Sequence, residues 1–139
     1  MKINIIYWSG TGNTEKMASL IKEGAEGKGA EVNVKEVADA SAADLDCDVL
    51  ALGCPSMGSE ILEEDEFEPF IASIEGSVSG KKLALFGSYG WGDGEWMRNF
   101  DTRMKGTGAV LVTDSLIVNE APEGDAAEQC KAFGAQIAE

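Results

Sequence analysis

The 139 residues predict a single-domain α/β fold: a doubly wound, five-stranded parallel sheet of order 2-1-3-4-5 with helices on both faces. Three observations predict it. Short apolar runs alternate with amphipathic helical patterns about five times along the chain. Two of the runs, Val49-Leu50-Ala51-Leu52 and Leu83-Ala84-Leu85-Phe86, are continuously apolar, as strands covered on both faces must be. One run, Glu31-Val32-Asn33-Val34-Lys35, instead alternates polar with apolar and reads as an edge.

In order, the runs Lys2 to Tyr7, Val32 to Val37, Asp48 to Gly53, Lys82 to Gly87 and Ala109 to Val118 are read as strands. The first helix pattern, Met17 to Ala25, places Met17, Leu20 and Ile21 on one face, and Asn13 or Thr14 is the expected cap. Phe67, Phe70, Ile71 and Ile74 share a second helical face. Trp96, Met97 and Phe100 begin a third, which makes Trp96 a core residue. Cys130, Phe133 and Ile137 line the last helix, with Asp125 and Glu128 as its expected capping box. No repeat or low-complexity linker suggests a second domain, so residues 1–139 are taken as one unit. With right-handed crossovers, a ligand belongs at the carboxyl ends of the first and third strands, where the winding direction reverses.

Charge and composition narrow the chemistry. Eleven Lys and Arg stand against 25 Asp and Glu, a net charge of −14, which disfavours nucleic acid and acidic membranes and favours basic partners. The chain has no histidine, and so lacks the commonest general base and metal ligand. Its start, Met1-Lys2-Ile3-Asn4, reads neither as a signal peptide nor as a membrane span. Cys47, Cys54 and Cys130 are odd in number and lack C-x-x-C spacing, which fits a reducing cytoplasm. They are read as packed side chains, with Cys54 set apart only by its position.

The loop after the first strand is Ser9-Gly10-Thr11-Gly12-Asn13-Thr14. Glycines that let amides converge, hydroxyl donors and a following helix N-terminus form a cradle for an anion. Alone, the segment serves equally well as a capped turn. It lacks the Gly-Lys-Ser/Thr ending of the Walker loop, and Glu15 stands where a dinucleotide fingerprint needs a small residue, so a monophosphate suits it best. It contains no Arg or Lys, so a bound phosphate keeps most of its charge. After the third strand comes Cys54-Pro55-Ser56-Met57-Gly58-Ser59-Glu60, and after the fourth Ser88-Tyr89-Gly90-Trp91-Gly92-Asp93-Gly94-Glu95-Trp96. Trp91 among glycines offers a stacking face, Met57 a soft surface for an opposite face, and Glu60 an acceptor for a ring N–H. Taken singly, Trp91 could instead fold over the sheet edge and Glu60 could be a solvated charge heading an acidic run. Six of the nine residues from Glu60 to Glu68 are acidic, which suits both a helix start and a docking surface for basic redox partners.

Together these three motifs resemble the flavodoxins, in particular the short-chain type of clostridia and related anaerobic bacteria. The resemblance runs from Lys2 to the final helix. It implies a flavodoxin-like fold, non-covalently bound FMN and electron transfer without catalysis, shuttling mainly between semiquinone and hydroquinone at low potential. It also implies that Ser9, Gly10, Thr11, Gly12, Asn13 and Thr14 hold the phosphate. Met57 and Trp91 would lie on opposite ring faces, Glu60 at ring N3 and Gly90 near the pyrimidine edge. Ser56, Ser88 and Asn119 would lie near the ribityl chain or ring, and Pro55, Gly58, Ser59, Tyr89 and Gly92 complete the contacting loops. Many short-chain members have Asp where this chain has Ser59; in the family the peptide after the preceding glycine turns over on one-electron reduction. The expected protein is a cytoplasmic monomer that docks redox enzymes through basic surfaces.

Other readings fit less well. A flavin-dependent NAD(P)H oxidoreductase of similar fold needs a nicotinamide site with cations for the pyrophosphate, and none is evident. A receiver domain needs acids where Trp8 and Ser9 stand, and a cysteine phosphatase needs Arg at position 60.

Overall fold

The computed structural model describes residues 1–139. Its strands are β1 (Lys2–Tyr7), β2 (Glu31–Glu36), β3 (Val49–Gly53), β4 (Lys82–Tyr89), β5 (Val110–Leu111) and β6 (Leu116–Asn119). Its helices are α1 (Asn13–Glu26), α2 (Phe67–Ile74), α3 (Glu95–Gly106) and α4 (Asp125–Ile137). All sheet pairings are parallel, in the order β2-β1-β3-β4-β5, with β6 also paired to β4.

The continuous apolar strands distribute successive side chains to opposite faces. Leu50, Leu52, Leu83 and Leu85 meet Phe67, Ile71, Phe100 and Met104 of α2 and α3. Val49, Ala51, Ala84 and Phe86 meet Met17, Ile21, Cys130 and Phe133 of α1 and α4. Period-two geometry thus builds two cores from one run of sequence. Strand β2 is an edge, with Val32 alone buried among its residues.

Three expectations need correction. The last strand, read as Ala109 to Val118, is two pieces: Lys82 pairs with Val110, but Phe86 pairs with Leu116. The offset grows from 28 to 30, so two extra residues bow the chain out between the pieces, around the polar Thr113-Asp114-Ser115. Between β2 and β3 no α-helix forms. The crossover uses two 3₁₀ turns, Val37–Asp39 and Ala42–Leu45, the second closed by a capping box of Ser41 and Asp44. No such box forms at Asp125 and Glu128, because Gly124 precedes α4 and Asp125 already lies inside it.

Candidate functional site

The carboxyl ends of β1, β3, β4 and β6 open onto one cavity of about 530 Å³, within the roughly 300–1,000 Å³ usual for small-molecule sites. From the first loop it takes Trp8, Ser9, Gly10, Thr11, Asn13 and Thr14; from the next, Pro55, Ser56 and Met57; from the third, Ser88, Tyr89 and Gly90. Glu120 and Ala121 close it beyond β6. The switch point foreseen from strand order is therefore where the concave surface lies.

The first loop folds around Ser9. Its Oγ accepts the N–H of Gly12 at 3.1 Å and of Glu15 at 3.2 Å, so both lone pairs are engaged and the hydroxyl proton remains to be donated. Asn13 and Thr14 do not cap α1 as expected; both are already helical, and Ser9 does the capping from outside. Gly12, at φ +96°, makes the left-handed turn that permits this. The amides of Asn13 and Thr14 belong to the first helical turn and have no intrahelical acceptor. The Thr14 hydroxyl is buried and has no hydrogen-bond partner, and so is that of Ser56 across the cavity. Two buried hydroxyls without protein partners on one cavity are a donor set suited to a polar ligand.

In the second loop, Met57 and Ile61 exchange N–H···O bonds at 3.0 Å and close a three-residue hairpin. Its tip holds Gly58 at φ +46° and Glu60 at φ +55°. Below it, the Glu63 side chain is buried and its carboxylate accepts the N–H groups of Asp65, Glu66 and Phe67, each at 2.8 Å. Burial alone would raise its pKa, but the amides of Phe67, Glu66 and Asp65 outweigh it and hold the carboxyl below its ordinary range. Cys54 accepts the Glu63 N–H on Sγ at 3.4 Å and the Trp96 indole N–H on its carbonyl at 3.1 Å. Burial pushes the Cys54 thiol up to about 12, so it is an inert packed group.

The other foreseen residues fall around the cavity. Trp91 is 54 % exposed, as a stacking face requires, but lies outside the cavity wall, as do Gly12, Gly58, Ser59, Gly92 and Asn119. Glu60 is also outside: its Oε1 accepts the Glu95 N–H at 3.1 Å, at the start of α3. The Ser88 hydroxyl donates to the Glu120 carbonyl at 2.7 Å, which commits its proton within the protein. Trp8, Glu120 and Ala121 were not foreseen. Trp8 stands directly before the glycine loop, which could have marked it; Glu120 shows itself only through its backbone, at φ +60°.

Residues 5–134 match the family model described as flavodoxin. The chain belongs to the flavodoxin family. It is 55 % identical over 137 residues to a flavodoxin of Clostridium beijerinckii, covering 98 % of this chain and 99 % of that one. It is 47 % identical over 133 residues to a flavodoxin of Megasphaera elsdenii, covering 95 % of each. The solution structure of two-electron reduced M. elsdenii flavodoxin superposes with a TM-score of 0.90 at 44 % identity, covering 98 % of each chain. Flavodoxins are FMN-binding electron carriers and not enzymes, so the NAD(P)H oxidoreductase reading is set aside. The cavity fits such a cofactor: its wall combines the hydroxyls and amides of the first loop, the orphaned hydroxyl of Ser56 and the large apolar side chains of Trp8, Met57 and Tyr89.

Proposed function

We propose that this chain is a low-potential flavodoxin whose phosphate loop is Ser9 to Thr14 and whose ring site lies between Met57 and Trp91. The observation that carries this reading is the pair of buried, unpartnered hydroxyls of Thr14 and Ser56 on the same cavity. Thr14, with Ser9, donates to phosphate oxygens; Ser56 donates toward the sugar-alcohol chain. Gly10 and Thr11 complete the cradle, and Gly90 leaves room for a ring edge, since a Cβ there would meet nothing within 4 Å. Glu60 supplies an acceptor for a ring N–H through its second carboxylate oxygen.

When bound, FMN supplies the redox chemistry by taking up and releasing electrons singly, and the protein sets how readily it does so. Dipoles hold the phosphate and no Lys or Arg lies in the loop, so its charge persists. A negative charge about 10 Å from the ring, at an effective dielectric of roughly 40, opposes further reduction by about 0.8 kcal/mol. That is ~35 mV for one electron, and several such charges lower the potential by about 100 mV before salt screening.

The acidic run divides by role. Glu63 caps α2, Glu60 binds the α3 amide, and Glu68 pairs with Arg103. Glu64, Asp65 and Glu66 are exposed and make no ion pair, so they form the docking surface for basic redox proteins. No helix is long and apolar enough to cross a membrane, and we read the protein as a cytoplasmic monomer.

A visible spectrum followed by stepwise reduction tests the assignment. Bound flavin with a long-wavelength band at half reduction is expected; a colourless protein that ignores added FMN would overturn it. Raising salt should slow electron transfer to a basic partner, and unchanged rates would remove the docking surface.

A further inference from the structure

Glu60 is one of only two non-glycine residues at positive φ, the other being Glu120. Its hairpin is pinned at the base by the reciprocal Met57–Ile61 bonds, and its carboxylate crosses to the loop after β4. There it occupies a slot that exists because residue 92 has no side chain. A Cβ on Gly92 would lie 2.5 Å from both Cδ and Oε1 of Glu60 and 2.9 Å from Oε2. Gly90, on the other side of Trp91, has no such neighbour. The two glycines flanking the tryptophan therefore have different jobs.

We infer that Gly92 and the Glu95 amide are positioning groups for the Glu60 carboxylate, a role that rests on reading Glu60 as the acceptor for a ring N–H. The Glu95 N–H tethers Oε1 at the positive end of α3 and leaves Oε2 to receive the cofactor. Gly92 acts by vacancy. The contact joins the loops after β3 and β4, so the acceptor is set before the cofactor arrives rather than drawn from solvent. A glutamate tip is the mobile end of a flexible side chain, so an added methyl at residue 92 displaces the carboxylate rather than unfolding the loop. The positive φ of Gly92, +82°, adds a strain of its own, which a double-mutant comparison separates.

The test is the FMN dissociation constant of Gly92→Ala, Glu60→Ala and the double variant. Each single change should weaken binding about tenfold, the scale of one charge-assisted hydrogen bond. The double variant should lose about as much as Glu60→Ala alone, because Gly92→Ala then has no carboxylate left to displace. Losses that multiply to about a hundredfold would overturn the inference. Hydrogen exchange of the Glu95 amide in the cofactor-free protein gives a second reading. Its protection should fall about tenfold in Glu60→Ala and equally in Gly92→Ala; full protection in Gly92→Ala means the carboxylate stays in place and the inference fails. Unchanged FMN affinity in Glu60→Ala would remove both the ring-acceptor reading and the cofactor role of Gly92, while the exchange data would still report the contact itself.

Discussion

The α1–α4 layer and the loop edge above the sheet both depend on glycine, for opposite reasons. In the helical layer glycine is required by what surrounds it: a Cβ on Gly24 would lie 1.9 Å from the Lys131 carbonyl oxygen, and one on Gly134 would lie 2.0 Å from that of Ile21. At Gly12 and Gly58 on the loop edge, unlike the crowded Gly92, it is required by its own backbone. Gly12 and Gly58 have positive φ, and a Cβ on either would meet nothing within 4 Å. Packed glycines bring two helix backbones together; open glycines bend a chain around something. Identical residues in the sequence thus report density in one region and ligand access in the other.

The strongest way to break this contrast is Gly134→Ala. On an isolated helix that change is favourable by about 1 kcal/mol. Here the obstruction is backbone and cannot rotate away, so we expect a net loss of about 3 kcal/mol in urea unfolding at unaltered FMN affinity per folded molecule. An increase in stability would show that α1 and α4 are not in close contact.

Next in size is the buried anchor beneath the loop edge. Glu63→Gln replaces an acceptor of three N–H groups by one that must set a donor against them, and should cost about 2 kcal/mol at neutral pH. The wild-type protein should show the same group in its acid response. The folded pKa lies below the unfolded one, so the contribution is complete above the unfolded value, near 4.3, and is lost as pH falls through the folded value. Acid unfolding of Glu63→Gln followed by circular dichroism should lack that component, and an identical pH profile would exclude Glu63 as its source.

Thr14→Val has the opposite sign in the two states. It removes a buried hydroxyl without a partner, so the cofactor-free protein should gain about 1 kcal/mol. The same hydroxyl is a proposed phosphate donor, so FMN affinity should fall about tenfold. Loss of stability together with unaltered affinity would mean that the hydroxyl serves the fold.

Sheet order was legible because it follows from which apolar runs are continuous and which alternate. The split of β5 from β6 was hidden, since Ala109 to Val118 is apolar enough to read as one strand and only pairing to β4 exposes the extra residues. The 3₁₀ crossover between β2 and β3 was hidden because no periodic pattern marks residues 38–47, although strands and helices otherwise alternate. Caps were misplaced at Asn13, Thr14 and Asp125, where a glycine at positive φ precedes each helix and shifts its start. The glycine loop after β1 and Met57, both on the cavity, could be read from residue type alone, whereas Trp91 stands outside its wall. The allegiance of Glu60 and Glu63 could not: both sit in one acidic run, yet one reaches across to α3 and the other is buried under α2. Periodicity reports faces of elements and says nothing of which amide a flexible carboxylate finds.

Gly58→Ala is the smallest expected effect on stability and sharpens the contrast most. With nothing within 4 Å of the added methyl, packing is untouched, and the only penalty is that of an L residue at φ +46°, about 1 kcal/mol. The Met57–Ile61 bonds pin the hairpin base, so movement is confined to the tip, where glycine lets the peptide adopt a second orientation at little cost. Oxidised FMN should therefore bind nearly as before, while the long-wavelength band at half reduction weakens, because a Cβ narrows the set of orientations open to the peptide after residue 58. An unaltered band would mean that this open glycine is kept for its resting turn alone, and loop-edge glycines would then be static like those between the helices.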